Sequence, residues 1–297
     1  LADRFFKPGD RRVPLVTAGV SFTALVFMLV ASLIGESPLF NLSEYLPLMI
    51  VIWLVSMNVF YAPALAMLEK FVPVAQFTLV MGVYVLVSDI IYSLEPAIVG
   101  LVQLFGAPFT FLFGGAIVLA SGLWFSNAYK TWSATEQQSA SVQSLTTVGL
   151  KPFKIWITAF LFGLAVAFLI NVLPSQLESK LIHADLGEYT GEIIVSGLLL
   201  LTALAAWALS KRVTVDNMTN TFFVSFVSII LLFFVSMFLD GVATLFPLIL
   251  VVPLLGLLSV SAFPMAMSNA GLKHKMLAAG LFISGAEFPD SFLEMYF

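Results

Sequence analysis

Nine stretches of the chain are each apolar for about 20 residues, the length a helix needs to cross a hydrocarbon core. They are 13–34, 45–68, 74–101, 108–129, 153–173, 192–209, 217–239, 242–267 and 275–297. A chain carrying so many has few folds open to it. In lipid every backbone N–H and C=O must be satisfied within the segment, so each run is expected to be an α-helix. Hydrophobic residues make up 60% of the sequence, charged residues only 10%, and 29 of the 297 residues are Phe. A water-soluble domain could not hide that much apolar side chain. The expected class is an all-α, polytopic membrane protein with nine transmembrane helices.

Most joins between the runs are short (70–73, 103–107, 240–241), which makes consecutive helices antiparallel neighbours. One join differs. Residues 131–152, TWSATEQQSASVQSLTTVGLKP, are polar, rich in Ser, Thr and Gln, and without apolar period. They read as a linker between two halves, 1–130 and 153–297.

Orientation follows from Lys and Arg. With residues 1–12 cytoplasmic, alternate joins are cytoplasmic too. They hold Arg4, Lys7, Arg11, Arg12, Lys70, Lys130, Lys151, Lys154, Lys211, Arg212, Lys273 and Lys275, which leaves only Lys180 outside. Glu36, Glu44, Glu178, Asp185, Glu188 and Asp240 fall on the opposite side. This bias supports both the crossings and their direction, and puts the 131–152 linker in the cytoplasm.

Several function classes drop out. There is no cysteine, so no disulfide framework and no thiolate nucleophile or metal ligand. The two histidines, His183 and His274, lie on opposite sides in this topology and cannot share an ion. No nucleophile elbow, P-loop or dinucleotide fingerprint appears, so neither an enzyme nor a cofactor or metal is expected. A net charge of −4 without a basic tract argues against nucleic acid. The first residue is Leu rather than Met, and the chain is expected to be a piece of a longer protein whose start is missing.

The sequence LADRFFKPGDRRVPLVTAG at residues 1–19 has the chemistry of a membrane-edge loop. Its arginines cannot enter hydrocarbon cheaply and hold the following helix at the interface, while an acid beside them can pair with one. The alternative is a generic basic juxtamembrane loop that reports orientation only.

The halves echo one another. Residues 1–4 (LADR) have a counterpart in 208–211 (ALSK), and FYAPALAM at 60–67 in AFPMAM at 262–267. Gly82 and Asp89 are echoed, at one offset, by Gly280 and Glu287. Parallel repeats of about six helices are what two-bundle transporters are built from. With an Asp-Arg…Gly-x-Arg-Arg loop before the first run, the chain resembles the major facilitator superfamily. DRFFKPGDRRVPLVTAG and NVFYAPALAM look most like its sucrose/proton symporter branch and bacterial relatives.

The resemblance implies that the chain holds family helices three to six (1–130) and seven to eleven (153–297), nine of an expected twelve. It implies a secondary transporter of the bacterial inner membrane, moving a small polar solute such as a sugar or glycoside with H+ or Na+. Asp3, Arg4, Arg11 and Arg12 would then form a cytoplasmic latch. Ser210 stands where the second-half loop would carry an Asp, which weakens any latch there.

The candidate pathway residues are few. Asp89 lies in GVYVLVSDIIYSLEPAIV, where helical spacing puts Gly82, Asp89, Tyr92 and Pro96 on one face. A carboxylate near the midplane must pair, protonate or face water. The bland alternative is a structural acid bonded to Ser88 or Tyr84. Glu287, in GLFISGAEFPDSF, shares a face with Gly280 and Ser284, with Gly285 and Pro289 expected to loosen the backbone. Asn58, in an apolar helix, with Tyr61 and the kinking Pro63 after it, could bind a substrate hydroxyl or simply bridge helices. Asn171 and Gln176, flanking Pro174, pose the same choice. Gly114-Gly115 reads as close helix packing, and Trp53, Trp124 and Trp156 as lipid-facing residues.

The rival class is a membrane subunit that kept the fold without transporting: a scaffold bound to partner membrane subunits, or a carrier of a lipophilic pigment or lipid. The sparse polar content of the runs favours it, because a sugar cavity needs several convergent polar groups.

Overall fold

The structure is a computed structural model, and it describes residues 12–34, 45–72, 76–136, 149–181, 190–271, 274–293 and 295. Among these the fold is all-α. The helices are α1 (Arg12–Ile34), α2 (Leu46–Phe71), α3 (Phe77–Ser93), α4 (Glu95–Phe105), α5 (Ala107–Glu136), α6 (Pro152–Ala167), α7 (Leu173–Leu181), α8 (Thr190–Leu209), α9 (Met218–Phe238), α10 (Leu245–Ser268) and α11 (Lys275–Leu293). Among the described residues six spans are long and apolar enough to cross a membrane, or seven if α3 and α4, interrupted at Leu94, count as one. The chain is therefore an integral membrane protein. Run 13–34 forms α1, a helix of 23 residues. Run 275–297 forms α11, which carries Lys275, Glu287 and Asp290 within 19 residues.

Two further expectations change. Helix α5 runs on to Glu136, so the first residues of the expected linker are helical. Pro96 does not share a helix with Asp89, because α3 stops at Ser93 and Pro96 belongs to α4. The turns between helices follow the sequence. Gly106 (φ 83°) and Gly241 (φ 56°) both adopt a left-handed backbone that costs other residues about 1–2 kcal/mol. They stand in two of the short joins. The helix starts also follow the echo. Arg12 and Met218, Leu46 and Leu245, and Phe77 and Lys275 open helices at nearly the spacing of the repeated motifs.

The chain packs as two compact units, Leu1–Leu68 with Ala97–Thr147, and Glu69–Pro96 with Val148–Phe297. In the first, α1 lies along α5. A Cβ on Gly114 would stand 2.9 Å from the Phe27 ring, and one on Gly115 3.0 Å from Met28. The glycine pair is close packing, as its sequence suggests. Thr23 Oγ1 donates to Ser56 Oγ at 3.0 Å, which donates to the Trp53 carbonyl at 2.7 Å. The Phe27 ring lies 5.3 Å from Trp53 and 4.9 Å from Phe111, so Trp53 packs inside its unit. Trp124 is 78% exposed, as a lipid-facing residue should be.

The second unit is built around α10. Most of this helix is buried, and α3, α6, α8, α9 and α11 all pack on it. Phe263 and Leu258 are fully covered there, as is Phe222 of α9. Helices α6 and α11 meet backbone to backbone. The missing Cβ of Gly163 would strike the Ala286 carbonyl, and that of Gly285 would lie 2.7 Å from the Trp156 carbonyl. Gly285 therefore fastens α11 rather than loosening it. Trp156 is half-buried, with its ring 5.3 Å from Phe160 and stacked on it. By packing, α3 belongs to this unit, although the sequence grouped it with 1–130. It lies against α8, where Gly82 faces Ser210 with 2.5 Å between its would-be Cβ and the serine Cβ. Thr78 Oγ1 donates to the Val213 carbonyl at 2.7 Å.

Candidate functional site

In α3 the Asp89 carboxylate has one hydrogen-bond partner among the described residues. Ser88 Oγ reaches its Oδ1 at 3.5 Å, but also reaches the Val85 carbonyl at 3.3 Å, so neither bond is strong. No Lys or Arg forms an ion pair with it among the described residues. If α3 and α4 make one broken span, Asp89 sits near its middle.

One turn on, Tyr92 gathers the rest. Its hydroxyl lies within electrostatic reach of Glu287, Asp290, Tyr84 and Asp89. Tyr92 is 60% exposed and Glu287 is exposed, while Asp89 and Asp290 are half-buried. Asp290 is tied down from another helix, since Asn171 Nδ2 donates to its Oδ1 at 2.7 Å. The Tyr92 hydroxyl is thus influenced by three carboxyl groups from α3 and α11, one of which is bonded to Asn171 between α6 and α7.

Local sequence explains how Asn171 gets there. Pro174 has no N–H to give the Ile170 carbonyl, and its ring crowds the preceding turn. The helix answers with one widened π-type turn, Phe168–Val172, before resuming as α7. Such turns recur at functional sites and swing side chains off the regular helical positions. Asn171 is in it.

Sequence reasoning named Asp89, Tyr92 and Glu287, and the two acids both lie within electrostatic reach of Tyr92. It did not single out Asp290, and it left Asn171 undecided. The proline three residues after Asn171 was the available signal. Of the remaining candidates, Tyr61 is half-buried in α2 of the other unit. Asn58 lies in the same helix, with its side chain outside the described set. Asp3, Arg4 and Arg11 lie outside the described residues. Arg12 opens α1 without a described side chain. Ser210 is buried beneath Gly82 and donates to the Trp207 carbonyl at 2.8 Å, a packing role that excludes a larger acid. Among the described residues no group of His, Asp or Glu has the arrangement of a metal site.

The ends of the second unit differ in charge. Phe77 packs on Phe263 while its neighbour Thr78 bonds Val213, and Lys151 N–H donates to the Asn269 carbonyl at 3.0 Å. These contacts bring the starts of α3 and α6 to the ends of α8 and α10. That end carries Lys151, Lys154, Lys211, Arg212 and Lys275. The buried Lys275 donates to the Met267 carbonyl at 3.0 Å. The opposite end carries Glu95, Glu178, Glu192 and Asp240 with Lys180. Lys180 is spent on α9, donating to the carbonyls of Ser236, Met237 and Leu239 at 2.7, 2.8 and 2.7 Å.

Compared with protein-family models and with curated proteins, the chain matches none.

Proposed function

We propose that the chain is part of a secondary active transporter of the major facilitator type, holding nine of its twelve helices. It moves a small polar solute, a sugar or glycoside, across the bacterial inner membrane by alternating access, coupled to H+ or Na+. The observation that carries this reading is Asp89, a carboxyl in the apolar helix α3 without a cationic partner among the described residues and, with Glu287 and Asp290, within electrostatic reach of Tyr92. Ionised acids in hydrocarbon cost several kcal/mol, about 3 on insertion scales, so such a group is kept where its charge is used. Taking up a proton or cation at Asp89 removes that cost and favours a state that closes over the site. Asn58 and Tyr61 would line the pathway from the first unit, and Asp3, Arg4, Arg11 and Arg12 would latch one state at the cytoplasmic edge. The charge difference between the ends supports a cytoplasmic 131–152 linker.

The test is uptake into proteoliposomes with an imposed pH or sodium gradient, comparing the unaltered chain with Asp89→Asn. Loss of the gradient dependence supports coupling. Full uptake with the same pH dependence removes Asp89 from the mechanism.

One observation favours a non-transporting scaffold or a carrier of a lipophilic pigment. Several buried hydroxyls of the second unit are spent on their own helices. Thr158 bonds the Lys154 carbonyl, Ser236 that of Phe233 and Ser261 that of Leu257. Few are left to recognise a solute. Co-purification of stoichiometric partner subunits, with no counterflow of any labelled solute, would favour that class.

A further inference from the structure

The basic end of the second unit has a composition that transport does not explain. Two clusters of cations stand there, each interleaved with exposed apolar side chains. One is Lys151, Phe153 and Lys154 at the start of α6, all exposed, with Phe153 at 74%. The other is Trp207, Lys211, Arg212 and Val215 where α8 ends, with Trp207 at 52% and Val215 at 45%. None of the four cations forms an ion pair among the described residues, and Asp216 is the one acid with a described side chain at that end.

The second cluster stands on a built turn. The 3₁₀ turn Ser210–Arg212 follows α8, Thr214 N–H donates to Asn217 Oδ1 at 2.7 Å, and Asn217 Nδ2 donates to the Arg212 carbonyl at 3.0 Å. Ser210 and Val213 are buried on either side, so Lys211 and Arg212 are held outward.

We propose that this end is a seat for anionic phospholipid headgroups. Tryptophan at helix ends sits at headgroup depth, and an exposed phenylalanine beside it reaches into the acyl boundary. Lysine and arginine stems lie along apolar surface and lift their charges to the phosphate plane. Unpaired cations there are attracted to anionic leaflets. A free phosphate would make no use of Phe153, Trp207 and Val215, and a lipid uses both halves of each cluster. The proposal rests on the chain spanning a membrane and not on what it carries, so a failure of solute uptake leaves it standing.

The test reconstitutes the full chain in phosphatidylcholine vesicles with trace spin-labelled phosphatidylglycerol or spin-labelled phosphatidylcholine. It reads the motionally restricted fraction of each label by electron paramagnetic resonance. The expected result is at least about threefold preferential association of the phosphatidylglycerol label, collapsing at high salt. K151Q/K154Q and K211Q/R212Q should each remove part of the preference, and the quadruple variant most of it. K151R/K154R/K211R should keep it. Equal association of the two labels overturns the proposal, as does a quadruple variant with the native melting profile and an unchanged preference. Should that variant not fold, the two double variants and the salt titration of the unaltered chain decide. Inorganic phosphate is added against chloride at matched ionic strength. Displacement of the label by phosphate alone would assign the seat to a soluble anion and overturn the lipid.

Discussion

Asn171 donates its side-chain amide to the carboxylate of Asp290 at 2.7 Å, across 119 residues of sequence. The bond joins the widened turn Phe168–Val172 to α11, and it fixes the acid that stands with Glu287 near Tyr92. A double-mutant cycle measures it. Asn171→Leu and Asp290→Asn are each expected to destabilise the chain by about 1–3 kcal/mol, and the double variant by clearly less than the sum. Additive losses in detergent melting would mean the bond is not held in solution.

Gly163 and Gly285 set the α6–α11 distance. Gly163→Val puts carbon on a backbone carbonyl, which cannot yield as a flexible side chain can. The expected loss is about 3 kcal/mol or failure to fold. Gly197→Ala is the control, because its Cβ meets nothing within 4 Å. In a helix it should be neutral or stabilising by about 0.5–1 kcal/mol.

Ser210→Asp tests the packing against α3. The side chain is buried against Gly82, so a carboxylate there is desolvated and crowded. A loss of about 2 kcal/mol or more is expected in thermal or denaturant unfolding. A variant as stable as the parent would show that α3 and α8 separate readily at this level.

Lys180→Met removes three donors from the carbonyls at the end of α9. Amide exchange across 236–241 should accelerate, with a stability loss of about 1–3 kcal/mol. Lys180→Arg should restore part of it.

Sidedness is open to direct labelling. Cysteines at 151 and 211 should react with a membrane-impermeant maleimide from one face, and a cysteine at 240 from the other. Position 240 is reached from 211 through the single span Met218–Phe238. Labels at 151 and 211 from opposite faces would contradict the packing of the second unit.

Much of this was legible in the apolar runs, because a membrane leaves the backbone one economical way to cross. The class and most helix positions follow from that. The break at Leu94 does not, since an apolar run reads the same whether its helix is continuous or interrupted. Packing partners were the least visible. Gly82 and Gly285 look alike to a sequence reader, as kink or as contact, and only the neighbouring backbone distinguishes them. Asp89, Tyr92 and Glu287 stood out because ionisable or phenolic groups are costly in lipid. Asp290 was passed over because its partner comes from a turn that one proline widens.

The position of α3 has a consequence for biosynthesis. This helix leaves the ribosome before any of α8 or α10, yet those are the surfaces it finally covers. Until they arrive, the Gly82 face stands in the bilayer or in the insertion machinery without its mate. Assembly of the second unit is then a late, post-insertion step, and chains truncated before α8 should be prime substrates for membrane quality control.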